Sequence, residues 1–412
     1  MTLSDFLGQS PSEYQAVSSI KKELLAHGFK ELREEDAFSL GRGDYFVTRN
    51  DSALIAFTVP EEFDRIRITA AHTDSPYFKI KENPEIRSNG YVKLNVEKYG
   101  GMLESPWLDR PLSIAGRIFT DEDGIKMHLV NLDRPVCLIP SLAIHMDRNA
   151  NNGKKFNPQN DLLPLYSCSE DGKSLISLVA DSVGADEDSV IGFDLYCVNY
   201  EKPVIWGDGN EFISSPRLDD LQSVYGTLAG FLKAKRSLSL SVFAVFSNEE
   251  VGSSTRQGAA STFLADTLKR IYLSLGKTFE DYERDLARGF MISADNAHAI
   301  HPNSPEKADP VNRPLINHGV VMKFSGNQKY CTDGYSAAVF RKLAKEAGKE
   351  IQVFTNRSDI PGGSTLGNIS NNQVAIPTVD IGLPMLAMHS PFETAGTKDT
   401  DDLAEIISVF FK

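Results

Sequence analysis

Four short apolar runs along the chain share one pattern, because each resembles a β-strand and each ends in polar residues that include acids or histidine. They occupy positions 65–74, 238–250, 289–298 and 377–389. Nearly continuous apolar character is typical of strands that are buried on both faces of a sheet. Ligands of such parallel sheets bind beyond the carboxyl ends of the strands, so the polar ends of these runs mark the predicted site.

Helical patterns separate these runs. Apolar residues recur at helical spacing from Leu221 to Leu232, and the segment 336–350 reads in the same way. Near the N-terminus, Ser10, Pro11 and Glu13 form a capping signal for a further helix that begins at Pro11. Strands that alternate with helices predict the α/β class, with a mostly parallel sheet that is covered by helices on both faces.

The stretch from 98 to 205 has a different pattern, with many short strand-like segments and turn-rich links in place of the helix–strand alternation. We therefore predict two domains. A discontinuous principal domain comprises residues 1–97 and 206–412, and residues 98–205 form an inserted, β-rich domain. A length of 412 residues agrees with this division, since single cores rarely grow so large.

Composition and charge exclude several classes of protein. A net charge of −13 disfavours nucleic acid as a partner. No apolar run reaches the roughly 18 to 20 residues that span a bilayer, so no membrane partner is expected. The N-terminal residues lack a secretory signal, and the four cysteines are scattered without a CxxC pair. These features predict a cytoplasmic protein without a disulfide framework.

The polar ends of the runs carry the candidate chemistry. Adjacent carboxylates, Glu249 and Glu250, follow one run, and Asp295 and His389 follow two others. The remaining candidates are His72 and Asp74 after the first run, and Asp219 and Asp220 just before a helix. Taken singly, each group is more often a solvated loop, a surface hydrogen-bonding group or a helix cap. Together, they form a nitrogen and oxygen donor set that suits zinc, or cobalt or manganese, and is large enough for two metal ions.

Five motifs, in register over nearly the whole chain, closely resemble the aspartyl aminopeptidases, which are co-catalytic zinc exopeptidases. They are HTDSP (72–76), SPRLDD (215–220), SNEEVGS (247–253), SADNAHAIHPN (293–303) and MHSPFE (388–393). The resemblance implies two zinc ions, with Asp219 bridging them. The other ligands that it implies are His72, Glu250, Asp295 and His389. It also implies that Glu249 is the general base and that Asp74 supports His72.

The resemblance extends into the inserted domain, where the segment 139–145 is similar to a family stretch that ends in a histidine. It implies that His145 reaches the active site of a neighbouring subunit and that the inserted domain acts in oligomerisation or as a lid. The implied assembly is a dimer-based homo-oligomer, a dodecamer in the family pattern. Ser141 stands where many relatives carry another histidine, and the alternative for His145 is an ordinary interface or core histidine.

The segment Asp359–Gly367 resembles the loop that lines the substrate site in the family, which makes Asp359, Gly362 and Gly363 candidate substrate-binding residues. Its glycines permit close approach of the backbone, although an ordinary turn would need them equally. Three cations are candidates for pairing with an acidic substrate side chain: Lys323, Lys329 and Arg357. The alternative for each of them is a solvated surface charge.

The sequence therefore predicts a metal-dependent aminopeptidase that releases single N-terminal residues, preferably Asp or Glu, from peptides by means of a water molecule activated by two metals. A di-zinc aminopeptidase for neutral residues and an N-acyl deacylase remain alternatives, since only the substrate pocket separates them. A non-catalytic scaffold is disfavoured because Glu249 and all the expected ligands are present. Neither a GxGxxG nor a P-loop motif occurs, which disfavours a nucleotide-binding protein.

Overall fold

The computed structural model describes residues 1–169, 171–235 and 238–412. Within these residues the largest sheet has nine strands in the order β1 (Lys30–Leu32), β2 (Gly43–Arg49), β3 (Ala53–Val59), β13 (Leu240–Phe246), β4 (Ile66–His72), β14 (Phe290–Ala294), β18 (Thr378–Gly382), β16 (Val320–Phe324) and β17 (Ile351–Thr355). The central strands β13, β4, β14 and β18 are parallel to one another, whereas β2–β3, β3–β13 and β16–β18 are antiparallel pairs. The predicted fold class is confirmed.

Helices cover both faces of this sheet. Side chains alternate between the two faces along each strand, so each strand contributes to two cores. In β13, Phe243 and Val245 face one core, whereas Val242, Ala244 and Phe246 face the other. The first core is closed by α1 (Leu3–Gln9), α2 (Glu13–Ala26), α5 (Leu218–Lys233), α8 (Gly334–Glu346) and α10 (Asp399–Phe410). The second core is closed by α6 (Phe263–Ser274), α7 (Phe279–Ala287) and α9 (Leu366–Ser370).

The N-terminal helix differs from its prediction. The sequence pattern places its start at Pro11 with Ser10 as the cap, but α2 begins at Glu13 after Ser12, and Ser10 instead ends α1. The capping box therefore does not form. Glu13 points into the protein interior, where it is 1% exposed and accepts a hydrogen bond from the Tyr196 hydroxyl at 2.7 Å.

A second sheet is wholly antiparallel and has six strands in the order β8 (Ile125–Asn131), β7 (Leu112–Asp121), β10 (Val190–Asn199), β5 (Tyr77–Ser88), β6 (Tyr91–Tyr99) and β9 (Leu165–Ser167). It has its own apolar core, over which α4 (Leu175–Ser182) packs, and α3 (Pro158–Asp161) lies beside β6. Position 98 falls within β6. The domain division stays a prediction, and we propose to begin the β-rich unit at Tyr77.

A third sheet connects the strand ends that carry the candidate site. Its five strands follow the order β11 (Val204–Trp206), β12 (Phe212–Ser215), β20 (Glu393–Gly396), β19 (Pro384–Leu386) and β15 (Ala297–His298). The predicted boundary at 205 falls within β11. Among the described residues, no helix is long and apolar enough to cross a membrane.

Candidate metal centre

Five predicted ligands come together at the carboxyl ends of the central strands. His72 is the last residue of β4, and Asp295 directly follows β14, which pairs with β4. Glu250 lies in a short turn after β13, Asp219 in the first turn of α5, and His389 three residues after β19. Since β13, β4 and β14 are parallel neighbours, residues that follow them reach the same edge of the sheet. The strand-end pattern therefore located the cluster.

Asp219 lies in the middle of this cluster. Its Oδ1 atom is 3.6 Å from His72 Nε2, and its Oδ2 atom is 3.4 Å from His389 Nε2. Asp295 Oδ1 lies 3.9 Å from His72 Nε2, and Glu250 Oε2 lies 3.3 Å from His389 Nε2. Three groups have donor atoms within 4.8 Å of one another: His72, Asp219, Asp220 and Asp295; Asp219, Glu250 and His389; and His72, Glu249 and Glu250. Asp219 thus belongs to two candidate metal-binding groups at once.

The carboxylates of the cluster repel one another in a buried environment. Burial raises the pKa of Glu250 and Asp220 well above the usual range, and the charge of Asp219 raises both further. Burial also raises the pKa of Glu249 to about 8, with the charge of Asp295 acting in the same direction. Asp219 is the exception, since its interactions with His72 and His389 outweigh burial and lower its pKa. An excess of buried negative charge calls for bound cations.

The two histidines of the cluster favour their positively charged form, because carboxylates surround them. Burial opposes protonation of His389, but hydrogen bonding to Asp219 and the charge of Glu250 raise its pKa to about 10. Burial likewise opposes protonation of His72, yet Asp219 and Asp220 raise its pKa well above the usual value. A proton or a metal ion bound at each imidazole would therefore balance the negative charge of the neighbouring carboxylates.

Unsatisfied oxygen atoms support a metal in preference to protons. Asp219 Oδ1, Asp220 Oδ1 and Glu250 Oε1 are buried and have no hydrogen-bond partner within the part of the chain that the structure describes. Buried polar atoms normally have partners, and such exceptions point to a missing ion or water. A set of two imidazoles and several carboxylates, without a nearby thiolate among the described ligands, matches the preferences of zinc. The residues present therefore fit the implied metal.

Asp74 acts as a hub behind the cluster. Its Oδ1 atom is 3.5 Å from His72 Nδ1 and accepts a hydrogen bond from the backbone N–H of Glu249 at 3.1 Å. Its Oδ2 atom accepts hydrogen bonds from the Glu250 N–H at 3.2 Å and from the Tyr99 hydroxyl at 2.7 Å. The Asp74 carboxylate thus fixes the turn that carries both glutamates, while the Asp74 backbone carbonyl, 3.0 Å from His72 Nδ1, orients the imidazole.

Two further carboxylates were not assigned a role by the sequence. Glu393 accepts hydrogen bonds from the backbone N–H groups of Asp219 at 3.0 Å and His389 at 2.7 Å. Asp220 accepts one from the His72 N–H at 3.2 Å. The only available signal was position, because Glu393 ends the MHSPFE motif and Asp220 directly follows Asp219.

A cavity of about 340 Å³ opens beside the cluster. Its lining includes Glu249 and three of the predicted ligands: Asp219, Asp295 and His389. Lys323, which is 2% exposed, also lines the cavity and donates a hydrogen bond to the Asp295 carbonyl at 2.6 Å. Its ammonium group lies 5.2 Å from the centre of the Tyr330 ring. The cavity therefore joins the metal cluster to one buried cation.

Of the other predicted substrate residues, Gly363 lines the same cavity and the rest lie elsewhere. Lys329 is exposed and lines neither of the two neighbouring cavities. Arg357 and Gly362 line a second cavity of about 310 Å³, which shares Gly363 with the first. Arg357 is paired with Asp359, with Nε 2.7 Å from Oδ1 and Nη2 3.1 Å from Oδ2. Of the three candidate cations, Lys323 is the one that faces the cluster's cavity.

His145 lies on the exposed surface of the β-rich unit, between β8 and α3. Its neighbours Leu142, Ile144 and Met146 are also exposed, at 51%, 44% and 75%. Within the described residues, no hydrogen bond or ion pair joins His145 to the metal cluster. A core position for His145 is therefore wrong, whereas a role at another subunit stays a prediction.

Comparison of the sequence with known proteins gives a match over almost the whole chain. Residues 6–411 match the family described as aminopeptidase I zinc metalloprotease (M18). The chain is 49% identical over 409 residues to a probable M18 family aminopeptidase 2 of Clostridium acetobutylicum, covering 96% of this chain and 94% of that relative. It is 39% identical over 420 residues to a protein of the same description from Stutzerimonas stutzeri, covering 99% and 97%.

Comparison with solved structures also gives matches over almost the whole chain. The chain is similar to an Ape4 structure solved in complex with Nbr1, with a TM-score of 0.96 and 35% identity over 99% of this chain and 84% of that one. It is also similar to the mApe1 dodecamer of S. cerevisiae, with a TM-score of 0.88 and 27% identity over 99% and 95%.

Proposed function

This chain belongs to the M18 family of zinc aminopeptidases, which are hydrolases, and on that premise we propose that it uses two zinc ions to release single aspartyl or glutamyl residues from the N-termini of peptides. The single observation that carries the proposal is the sharing of Asp219 between two donor groups, one with His72 and Asp295 and one with Glu250 and His389. A bridging carboxylate between two ions is typical of two-metal hydrolases. Cobalt or manganese would be substitutes.

Glu249 is the proposed general base. Two zinc ions, when bound, would supply the positive charge that acidifies a water molecule and stabilises a developing oxyanion. Glu249 lines the cavity and lies outside both groups that contain Asp219, while it shares a third group with His72 and Glu250. We assign its carboxylate to the proton of the attacking water and not to a metal ion. It then delivers this proton to the leaving amine. Asp74 positions Glu249 by accepting its backbone N–H.

Lys323 is the proposed determinant of acidic specificity. Burial lowers its pKa, but the negative charges of Asp295 and Asp380 raise it on balance, so the ammonium group stays charged in the cavity. A buried cation favours a substrate carboxylate over an apolar side chain of similar size. Arg357 is a weaker candidate, because it lines the second cavity and not the one that contains Asp219 and Asp295.

Assembly is part of the proposal. The fold comparison includes a dodecamer, and the β-rich unit presents apolar side chains around the exposed His145. We propose a homo-oligomer, a dodecamer built from dimers, in which His145 completes the active site of a neighbouring subunit. A reducing, cytoplasmic location is also proposed, from the scattered cysteines without a CxxC pair.

A panel of small substrates tests the proposal. Initial rates would be measured on aminoacyl substrates with N-terminal Asp, Glu, Leu or Ala and on N-acetylated Asp, each with and without a chelator. We expect chelator-sensitive cleavage of the Asp and Glu substrates, with the acetylated form intact. Preference for Leu would reject Lys323 as the specificity residue, and cleavage of the acetylated form alone would favour a deacylase. No hydrolysis by the zinc-loaded assembly would contradict the aminopeptidase.

A further inference from the structure

A buried carboxylate on β18, Asp380, lies behind the cavity without lining it or touching the predicted metal ligands. It is 0% exposed. No cation pairs directly with it among the described residues, and its partners are instead hydrogen-bond donors from two other segments of the chain. A buried charge without an ion pair is retained only where several donors satisfy it, so the identity of these donors indicates what Asp380 does.

The first set of donors belongs to the segment that forms the cavity wall at Tyr330, called here the Tyr330 wall. Asp380 Oδ2 accepts the backbone N–H of Cys331 at 2.6 Å and lies 2.9 Å from the Cys331 thiol, which donates to it. The backbone of Asp380 adds another hydrogen bond to this segment, since its N–H donates to the Thr332 hydroxyl at 2.9 Å. These contacts fix the residues directly after Tyr330, whose ring lies beside the Lys323 ammonium group.

The second donor belongs to a different segment that lines the cavity, called here the Thr365 wall. The Thr365 hydroxyl donates to Asp380 Oδ1 at 2.9 Å, and Thr365 lines the cavity. Thr365 is the residue before α9, where a threonine side chain ordinarily accepts a hydrogen bond from the helix backbone, but here it makes no such cap. The interaction with Asp380 therefore replaces the local cap and connects Thr365 to the same carboxylate that holds Cys331.

Gly367 shows how closely this wall approaches Asp380. A Cβ atom at Gly367 would lie 2.4 Å from Asp380 Oδ1, which no side chain tolerates. The first turn of α9 and the carboxylate are therefore in direct contact, and a change in one moves the other.

We propose that Asp380 is a positioning residue that holds the Tyr330 wall and the Thr365 wall of the substrate cavity at the spacing that the acidic N-terminal residue of the substrate requires. The inference rests on the proposed function, because it concerns the cavity that contains Lys323. Asp380 acts through Cys331 and Thr365 and does not itself touch the substrate. Its loss should therefore weaken binding of the substrate side chain and leave the chemical step largely intact.

Asp380→Asn is the direct test, since the amide keeps the shape but places N–H donors against the N–H and hydroxyl donors of the two walls. We expect KM for an aspartyl substrate to rise about tenfold, while kcat changes less than about threefold and zinc content is unchanged. The preference for aspartyl over leucyl substrates should fall in parallel. An unchanged KM, or a loss of kcat alone, would overturn the proposal.

Asp399→Asn is the matched control. Asp399 is also a buried carboxylate, and it accepts the backbone N–H groups of Asn317 and Gly319 at 2.7 and 2.9 Å, but it does not line either cavity. Both variants are expected to lower the melting temperature. Only Asp380→Asn should change KM, and an equal change of KM in both variants would reduce the role of Asp380 to general stability.

Thr365→Val keeps the proposal testable if Asp380→Asn does not fold, because it removes one tie and leaves the charge in place. It should raise KM in the same way but by less. When Asp380→Asn does fold, the double variant should raise KM by less than the product of the two single effects, as coupled residues do. Independent effects that multiply in full would contradict a link through Thr365.

A binding measurement separates failure of this inference from failure of the proposed function. Zinc-loaded Glu249→Gln protein, with and without Asp380→Asn, would be titrated with an aspartyl dipeptide by calorimetry, because loss of the general base slows turnover during the measurement. An inactive zinc-loaded parent would contradict the proposed function, while weaker binding by Asp380→Asn would still support the positioning role. Equal binding by the two proteins would contradict that role whatever the activity.

Discussion

One side chain, Asp219, has two tasks in the candidate centre. It contributes an oxygen to each of two donor groups, and its backbone N–H is held by Glu393, which also holds that of His389. The free energy of burying so many carboxylates is unfavourable unless cations are bound. Replacement of Asp219 should therefore reduce metal binding at both positions, which distinguishes it from the residues that belong to one group.

Substitution of Glu249 separates zinc binding from the chemical step. Its carboxylate lines the cavity, while its backbone is fixed by Asp74. Glu249→Gln should keep the turn and the zinc content but remove the proton acceptor, so we expect kcat to fall by about two to four orders of magnitude. Steady-state kinetics and metal analysis of the same sample check this. Loss of zinc from the variant would instead assign Glu249 to the ligand set.

Among the elements, the parallel strands were those whose sequence pattern best predicted the position of the site. A strand buried on both faces is apolar throughout, so the first polar residue after it marks the sheet edge, and this located His72, Asp295 and the glutamate pair. The pairing of Arg357 with Asp359 could not be predicted, because it depends on the turn that brings two nearby side chains together. Whether a cation is buried, as Lys323 is, depends on tertiary packing.

Other elements escaped prediction for the same reason. The strands β5 and β6 read as part of the principal domain because local pattern does not reveal which sheet a strand joins. The short helix α1 has only two buried residues, Phe6 and Leu7, which is too few to establish a helical period. Glu393 was missed because its role depends on two backbone N–H groups far apart in sequence.

The start of α2 connects the N-terminal helices to the β-rich unit through a titratable group. Burial raises the pKa of Glu13 to about 7, against the hydrogen bond from Tyr196, which lowers it, and the charges of Asp74 and Asp194 raise it further. The folded protein thus binds this proton more tightly than the unfolded chain. Stability from Glu13 is fully present below about pH 4.5 and is lost as pH rises to about 7, by about 3 kcal/mol in total.

Glu13→Gln removes this titration while keeping a buried hydrogen-bonding group. We expect the stability of the zinc-loaded variant to depend less on pH between 5 and 8 than that of the parent. Urea unfolding at several pH values would measure the difference. Identical pH dependence of the two proteins would show that Glu13 remains charged on folding.

For the whole molecule, the proposed assembly makes the active site a shared property of two chains. His145 is exposed and, among the described residues, makes no hydrogen bond or ion pair to the cluster of its own chain, so the proposed catalytic role is exerted on another copy. A closed homo-oligomer provides such a copy at a fixed position.

Mixed oligomers test this sharing. His145→Ala and Glu249→Gln chains should each be nearly inactive alone, but co-expression should restore about a quarter of parental activity, because some sites then combine an intact Glu249 with a neighbour's His145. Co-expression of Glu249→Gln with Glu249→Ala serves as the control and should restore none. Activity no greater than the sum of the separate variants would confine His145 to a structural role.

The central claim, a two-metal centre bridged by Asp219, is tested most directly by the zinc stoichiometry of the reconstituted protein. Metal-free protein would be titrated with zinc, and the bound metal per chain and the activity would be measured on the same samples. We predict about two zinc ions per chain, with full activity only when both are bound, and loss of both from Asp219→Ala. One zinc per chain at full activity, or an Asp219→Ala variant that keeps both ions, would contradict it.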